Sequence, residues 1–251
     1  MLSFQIASDL HIEYNNEKVP NPLKYITPSK DILILPGDIG SLYKIEQLEE
    51  FMKQLCKHFK IVLYIPGNHE WYRQKNYKPL HMSILQKRIK DIENNINNLY
   101  VLNRSSVCID NICISGVTLW TQPKCNIPQF IVRIENMNTK EYTKLHNEDL
   151  KYVKKMMRYC KQKNLKLIIV SHHPPTEQVL KNAKKRKQYE SLYATDLDYL
   201  LTSNYIHTWI CGHTHSNFDF ISKNGTRIVS NQKGKDKDNI TDYSKKFILE
   251  I

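Results

Sequence analysis

Five short apolar runs along the chain each end in a cluster of polar residues. Near-continuous apolar runs of four to six residues are typical of strands that are buried on both faces of a sheet. The polar cluster after each run predicts a loop at the end of a strand. The five runs are Phe4–Ala7, Asp31–Leu35, Ile61–Ile65, Leu167–Val170 and His207–Cys211.

Amphipathic segments separate these runs. Apolar residues recur at three- and four-residue spacing in Ile45–Lys60, Pro79–Asn94 and Thr139–Gln162, which predicts helices. Strands that alternate with helices indicate an α/β fold with largely parallel central pairing. Two hairpins and a closing strand are also predicted, over Val107–Val117, Asp219–Ser230 and Phe247–Ile251.

Length and composition favour a single domain. The chain has 251 residues, and its 41% apolar content is enough for a sizeable core, so we expect one domain over residues 1–251. The six cysteines lack the C-x-x-C spacing of a zinc ribbon or a thioredoxin-like site. The first residues do not resemble a secretory signal, and no apolar stretch approaches the roughly 20 residues of a membrane span. These features predict a soluble cytoplasmic protein, of undetermined oligomeric state.

The chain is strongly basic. It carries 37 Lys and Arg residues against 25 Asp and Glu residues, which gives a formal net charge of +12. A positive field attracts anions, so the charge favours a small phosphorylated substrate, a nucleotide or a nucleic acid as partner. Lys outnumbers Arg 30 to 7, however, and such a bias can reflect composition rather than function.

The polar clusters at the strand ends carry side chains that bind metal ions. In open α/β sheets, sites form beyond the carboxyl ends of the strands, so clusters that are far apart in sequence can converge there. The candidate ligands offer oxygen and nitrogen but no sulfur, which suits Mn²⁺, Fe or Zn²⁺. They are Asp9, His11, Asp38, Asn68, His172, His213 and His215.

Four motifs and one histidine occur in a set order along the chain. They are Asp9-x-His11, Gly37-Asp38, Gly67-Asn68-His69-Glu70, His172 and Gly212-His213-x-His215. In this order they resemble the calcineurin-like metallophosphoesterases, from residue 3 to about residue 234. The resemblance implies that family's α/β fold, in which two mixed β-sheets pack face to face with helices outside. It also implies two bound divalent metal ions.

The resemblance further implies a role for each motif residue. The first metal would be held by Asp9, His11 and His215, with Asp38 as the bridging ligand. The second metal would be completed by Asn68, His172 and His213. His69 would lie beside the centre without binding metal, as the general acid that protonates the leaving group.

The function implied is hydrolysis of a phosphate ester, by a phosphomonoesterase or a phosphodiesterase. A hydroxide that bridges the two metals would attack the phosphorus atom. Mn, Fe or Zn could serve, and Mn²⁺ is expected to support activity in vitro. A nuclease or nucleic-acid end-processing enzyme is the alternative, because of the basic charge. A non-catalytic scaffold is disfavoured, because the ligand set is complete.

One stretch departs from the protein Ser/Thr phosphatases of this superfamily. Those relatives place an Asp, which supports the catalytic His, and a phosphate-binding Arg after the Gly-Asp motif. The corresponding stretch here, Ile39-Gly40-Ser41-Leu42, contains neither residue. A protein-phosphatase function is therefore in doubt, and any cation that binds phosphate must come from elsewhere in the chain.

Two segments offer such cations. The run 181–187 packs five cations into seven residues, and Arg186 in it is our candidate for a substrate contact. The irregular segment 122–138, which contains Arg133, is expected to form a cap over the site. Both segments could equally be ordinary solvated surface. His173 is interpreted as a substrate contact or as a neighbour of the ligands. The segment from Asn224 to Gly234 resembles the ending of small bacterial-type members of the superfamily, many without a known substrate.

Overall fold

Two mixed β-sheets form the centre of the protein, in a computed structural model that describes residues 2–180 and 187–251. The strands of the first sheet are β1 (Ser3–Ile6), β2 (Ile32–Leu35), β3 (Ile61–Tyr64), β4 (Leu99–Val101) and β11 (Ile248–Glu250). They lie in the order β11-β1-β2-β3-β4. β1 to β4 are parallel, and β11 pairs antiparallel with β1 at one edge.

The second sheet has a parallel centre between two hairpins. Its strands are β5 (Ser105–Ile109), β6 (Ile112–Val117), β7 (Lys166–Ser171), β8 (Thr208–Ile210), β9 (Asp219–Ile221) and β10 (Arg227–Val229). Their order is β5-β6-β7-β8-β10-β9, with antiparallel pairing only in the outer pairs β5–β6 and β10–β9.

Side-chain alternation along the strands explains the layers. In β2, Ile32 and Ile34 belong to the apolar cluster between the sheets, whereas Leu33 and Leu35 belong to the cluster on the outer face. Successive side chains of a strand point to opposite faces, so a strand that is covered on both sides needs an unbroken apolar run. β7 alternates in the same way between the inter-sheet cluster and the outer face of its own sheet.

Three helices cover the outer faces. α1 (Ile45–Cys56) and α2 (Met82–Asn94) contribute to the cluster on the first sheet, and α3 (Thr139–Lys163) contributes to the cluster on the second. The Asn138 side chain caps α3 by accepting a hydrogen bond from the backbone N–H of Glu141 at 3.0 Å. The helix ends at Asn164, which adopts a left-handed conformation that Asn tolerates well.

The observed fold confirms the predicted architecture of two mixed sheets with helices outside. The two hairpins and the closing strand are present, and the helices differ from prediction by a few residues at their ends. β4 was not predicted. In the second hairpin, Gly225 has φ +92° while Asn224 has a negative φ, so the Asn-Gly pair does not form the two-residue type I′ turn that it usually favours.

Candidate metal centre

The candidate ligands lie on loops that leave the carboxyl ends of five parallel strands. Asp9 and His11 follow β1, Asp38 follows β2 and Asn68 follows β3, all in the first sheet. His172 follows β7, and His213 and His215 follow β8, in the second sheet. Because the two sheets pack face to face with these strand ends at one edge, the loops meet there.

Four of the candidate ligands form a first group. One ligand atom from each of Asp9, His11, Asp38 and His215 lies within 4.8 Å of the others. Nε2 of His11 is 3.0 Å from Nε2 of His215 and 3.7 Å from Oδ2 of Asp38. Nε2 of His215 is 3.4 Å from Oδ1 of Asp9. Both carboxylates and both imidazoles thus face one point.

A second group shares Asp38 with the first. Asp38, His172 and His213 also place ligand atoms within 4.8 Å of one another. Nε2 of His172 lies 3.3 Å from Oδ1 of Asp38, 2.8 Å from Oδ1 of Asn68 and 3.1 Å from Nδ1 of His213. Asp38 therefore directs one carboxylate oxygen to each group, which is the arrangement that a bridging ligand requires.

These separations fit metal binding. Two ligand atoms that each lie about 2.0–2.2 Å from the same ion are about 3 to 3.5 Å apart, and the ring nitrogens of His11 and His215 are 3.0 Å apart. Two imidazole lone pairs at that distance repel each other unless a proton or a cation lies between them. Within the described residues, the donor set is nitrogen and oxygen, as Mn, Fe and Zn accept.

Three histidines are oriented by acceptors on the far side of their rings. Nδ1 of His11 lies 3.0 Å from Oε1 of Glu13, and Nδ1 of His215 lies 2.5 Å from Oδ2 of Asp238. Nδ1 of His172 lies 2.9 Å from the carbonyl oxygen of Pro36. These acceptors hold a proton on Nδ1 and so direct Nε2 toward the centre, where it can bind a metal once it carries no proton.

The buried carboxylates of the site stabilise a positive charge on the histidine that lies beside them. Burial raises the pKa of Asp38, but the nearby His172 and His69 lower it more, so its pKa lies well below the usual value. Burial lowers the pKa of His172, yet Asp38 and Asp9 outweigh this effect and raise it to about 9. A proton on His172 thus stabilises the buried carboxylates in the same way that a metal cation would.

The backbone at the site is constrained. Five of the candidate ligands have positive φ angles, which non-glycine residues rarely adopt. In addition, a Cβ atom on Gly67 would lie 2.3 Å from Oδ1 of Asp38, so only glycine fits there. The five residues are Asp9 (54°), His11 (50°), Asp38 (53°), His213 (73°) and His215 (51°).

Glu70 ties two of the loops together. Its buried carboxylate accepts hydrogen bonds from the backbone N–H groups of Gly67 at 2.7 Å and Ile39 at 2.8 Å, and from the Tyr64 hydroxyl at 2.8 Å. It also accepts from the N–H of Asp38 at 3.1 Å. The last residue of the Gly-Asn-His-Glu motif therefore fixes the loop that carries the shared carboxylate.

His69 lies between a carboxylate and an ammonium group. Its Nδ1 is 2.9 Å from Oε1 of Glu13, the same oxygen that faces Nδ1 of His11. Its Nε2 is 3.3 Å from Nζ of Lys235. Burial lowers the pKa of His69 to about 3, and the charges of Lys235 and Arg133 contribute to this. In the metal-free protein, His69 is thus a neutral imidazole with its proton on Nδ1.

A cavity of about 460 Å³ opens above the centre. Its floor includes Asp38, Asn68 and His69, and one wall is formed by residues 130–133 of the segment that was expected to be a cap. That segment has neither helix nor strand up to Asn138. Hydrogen bonds from the N–H groups of Gln122 and Lys124 to Thr195 and Ser191, each 2.9 Å, fix its first residues.

The other predicted contacts are placed differently. His173 is buried, its Nδ1 lies 3.1 Å from the carbonyl oxygen of Thr118, and its ring packs 4.1 Å from that of His213. His173 therefore packs against the candidate ligand His213 and does not line the cavity. Arg186 and the basic run 181–187 lie outside the described residues, except for Lys187.

Several residues at the site were missed by sequence reasoning. Glu13 has a usable signal, because it follows His11 by two residues and extends the first motif to Asp-x-His-x-Glu. Lys235 and Asp238 lie in the loop between β10 and β11, beyond the last motif, and nothing in the sequence marks them. The structure brings all three within hydrogen-bonding distance of a candidate ligand or of His69.

The fold and this cluster define a class of metal-dependent hydrolases, and comparisons with known proteins agree. The sequence model of the calcineurin-like phosphoesterases matches residues 2–217. The uncharacterised protein L509 of Acanthamoeba polyphaga mimivirus is 26% identical, in an alignment that covers 97% of this chain and 96% of that protein.

Two solved structures share the fold. Phosphopantetheinyl hydrolase from Mycobacterium tuberculosis has a TM-score of 0.72 at 15% identity, covering 98% of this chain and 95% of that one. A dimetal phosphatase from Danio rerio has a TM-score of 0.60 at 12% identity, and the match covers 91% of this chain and 86% of that one.

The chain belongs to the calcineurin-like phosphoesterase family. It is a hydrolase that acts on phosphoester bonds, and the family is binuclear and metal-dependent. Among residues 2–180 and 187–251, no helix combines the length and the apolar character that crossing a membrane requires.

Proposed function

We propose that the protein hydrolyses a small phosphate ester with two divalent metals bound by the seven candidate ligands. The observation that carries this proposal is the carboxylate of Asp38, which belongs to both ligand groups. Asp9, His11 and His215 complete the first site. Asn68, His172 and His213 complete the second. When bound, the two cations supply an activated water and positive charge on the phosphoryl oxygens.

The side chains of the protein then handle the proton of the leaving group. His69 faces the cavity and is the general acid, and it donates from Nε2 to the leaving oxygen. Donation from Nε2 requires an imidazolium ring, so the neutral His69 of the metal-free protein must first take up a proton on Nε2, which the negative charge of a bound phosphate ester favours. The Glu13 carboxylate, 2.9 Å from Nδ1 of His69, stabilises that charged form. Glu13 is thus a positioning residue that acts through His69.

Metal removal and restoration test the proposal. The protein treated with chelator should be inactive and should regain hydrolysis with Mn²⁺, because the nitrogen and oxygen donors accept this ion. Suitable substrates are a phosphomonoester, a phosphodiester, cyclic nucleotides and short oligonucleotides. Asp38→Ala should lose both bound metals and activity, since its carboxylate serves both groups. Full activity in metal-free protein, or in Asp38→Ala, would contradict the mechanism.

A further inference from the structure

Two partly buried cations on the cavity wall have no counterpart in the motifs. Arg133 comes from the segment between β6 and α3, and Lys235 comes from the loop between β10 and β11. Both line the cavity above the candidate metal centre. Nζ of Lys235 is 3.3 Å from Nε2 of His69, so this ammonium lies where the reacting group must approach the general acid.

Aromatic rings hold both cations beside the cavity. The guanidinium carbon of Arg133 lies 5.6 Å from the centre of the Tyr72 ring, and Nζ of Lys235 lies 5.3 Å from the centre of the Tyr14 ring. A cation over the face of an aromatic ring is attracted by the ring's electrons but keeps its full charge. Both side chains are only partly exposed.

Among the described residues, neither cation forms an ion pair with a carboxylate, and nearby Asp238 pairs with His215 instead. Other arginines of the chain do form such ion pairs. Arg104 pairs with Asp149 at 2.9 Å, and Arg227 pairs with Asp219 at 2.7 Å. In the part of the chain that the structure describes, no carboxylate lies within 4.0 Å of the charged groups of Arg133 or Lys235, and Nε of Arg133 is buried without a hydrogen-bond partner. Partly buried cations on a cavity wall that form no ion pair with a carboxylate favour an anionic ligand.

We propose that Arg133 and Lys235 form a phosphate clamp, a pair of cations that binds the free oxygens of a phosphomonoester. This proposal rests on the proposed function. A phosphomonoester carries three non-bridging oxygens and up to two negative charges, whereas a phosphodiester carries two such oxygens and one charge. The clamp matches the additional oxygen and charge, so it selects monoesters over diesters. It also supplies the cation that is missing after the Gly37-Asp38 motif.

Two substrates with the same leaving group test this selection. The rate constant kcat/KM of Mn²⁺-loaded protein is measured for p-nitrophenyl phosphate and for bis(p-nitrophenyl) phosphate. Arg133→Met and Lys235→Met keep the apolar length of each side chain and remove its charge. Each change should lower kcat/KM for the monoester by about 10- to 100-fold, as expected for loss of a hydrogen bond to a charged group. The diester should change by less than about threefold, which is under 1 kcal/mol.

Matched controls exist for both positions. Lys233 is two residues from Lys235, does not line this cavity and pairs with Asp236 at 2.8 Å. Arg73 is an exposed arginine whose backbone N–H bonds to the carbonyl oxygen of Arg133. Lys233→Met and Arg73→Met should therefore leave the monoester-to-diester ratio unchanged. Metal content and thermal unfolding are measured for every variant, so that a folding defect is recognised.

Binding of inorganic phosphate gives a readout that does not depend on turnover. Calorimetry on the Mn²⁺-loaded protein should show about 10- to 100-fold weaker phosphate binding in the clamp variants than in the controls. Equal losses on both esters, or unchanged phosphate binding in a double variant that combines Arg133→Met with Lys235→Met, would overturn the clamp. If the wild type binds phosphate through these residues but hydrolyses neither ester, the clamp stands and the proposed function fails.

Discussion

At the scale of single residues, Glu13 is the side chain on which the proposed proton chemistry depends. One buried carboxylate oxygen lies 3.0 Å from Nδ1 of His11 and 2.9 Å from Nδ1 of His69. The same oxygen therefore orients a candidate metal ligand and the proposed general acid. The protein Ser/Thr phosphatases support their histidine from the second motif, whereas here the support comes from the first.

Glu13→Gln should slow substrates with poor leaving groups. The neutral amide stabilises the His69 imidazolium less, so we expect kcat for an alkyl phosphate to fall by about 10- to 100-fold, a part of the whole effect of a general acid. The rate with p-nitrophenyl phosphate, whose leaving group needs little protonation, should change much less. His69→Ala should show the same pattern more strongly, and Glu13→Asp should recover part of the rate.

Controls separate this effect from damage to the metal centre. Glu17→Gln removes a nearby carboxylate that is largely exposed and pairs with Lys44, and it should leave both rates unchanged. Metal content is measured in parallel because Glu13 also contacts His11. Equal losses on both substrates, together with normal metal content, would show that Glu13 does not act through His69.

Backbone strain also belongs to this scale. Five candidate ligands with positive φ cost about 1–3 kcal/mol each relative to relaxed backbone. Surrounding contacts hold them there: the N–H of His213 donates to the carboxylate of Asp9 at 3.1 Å, and the N–H of His215 donates to Oε1 of Gln232 at 2.6 Å. Strain of this kind concentrates at sites where precise placement of a side chain matters more than stability.

At the scale of elements, the ends of the strands explain which parts of the site the sequence could predict. An apolar run followed by a polar residue marks the carboxyl end of a buried strand, and every candidate ligand lies within six residues of such an end. Arg133, Lys235 and Asp238 lie in loops without any periodic pattern. Their positions depend on how distant segments pack, which a local pattern does not encode.

The sequence did not predict strand β4, because its apolar pattern is too short. It contains only Leu99, Tyr100 and Val101, and Tyr100 is exposed, because β4 is the edge of the first sheet. A run of three residues with one exposed side chain gives too short a pattern to identify. Central strands such as β2, covered on both faces, are fully apolar and were predicted almost to the residue.

The loop between β10 and β11 contacts the proposed first metal site through Asp238, whose carboxylate faces Nδ1 of His215. Asp238→Asn should weaken binding of one of two Mn²⁺ ions by about 10- to 100-fold, because the carboxylate that lies 2.5 Å from Nδ1 of His215 raises the basicity of the ring. A calorimetric titration of the metal-free protein with Mn²⁺ measures the dissociation constant of each ion. The second ion, which His215 does not contact, should bind normally.

Asp236 offers the matched control in the same loop. Its side chain is 99% exposed and pairs with Lys233, away from the candidate ligands, so Asp236→Asn should not change the binding of either ion. If both substitutions weaken metal binding equally, the loop acts through its overall negative charge. If neither does, His215 is oriented without Asp238.

At the scale of the whole molecule, each candidate metal position combines ligands from both sheets. The first group combines three ligands after β1 and β2 with His215, which follows β8. The second combines Asp38 and Asn68 from the first sheet with His172 and His213 from the second. Bound cations therefore crosslink the loops of both sheets at one edge, and they also relieve repulsion between the buried carboxylates of Asp9 and Asp38.

Metal binding should consequently stabilise the fold as a whole. A ligand at 100 times its dissociation constant adds about 2.7 kcal/mol to the free energy of unfolding, which corresponds to an increase in Tm of about 5–10 °C for a chain of this size. Differential scanning calorimetry of the chelator-treated protein, with and without added Mn²⁺, measures that difference. Asp38→Ala should show no such increase because it lacks the ligand common to both groups. If Mn²⁺ raised Tm equally in the wild type and in Asp38→Ala, the ion would be binding elsewhere, and the two sheets would not be joined through this centre.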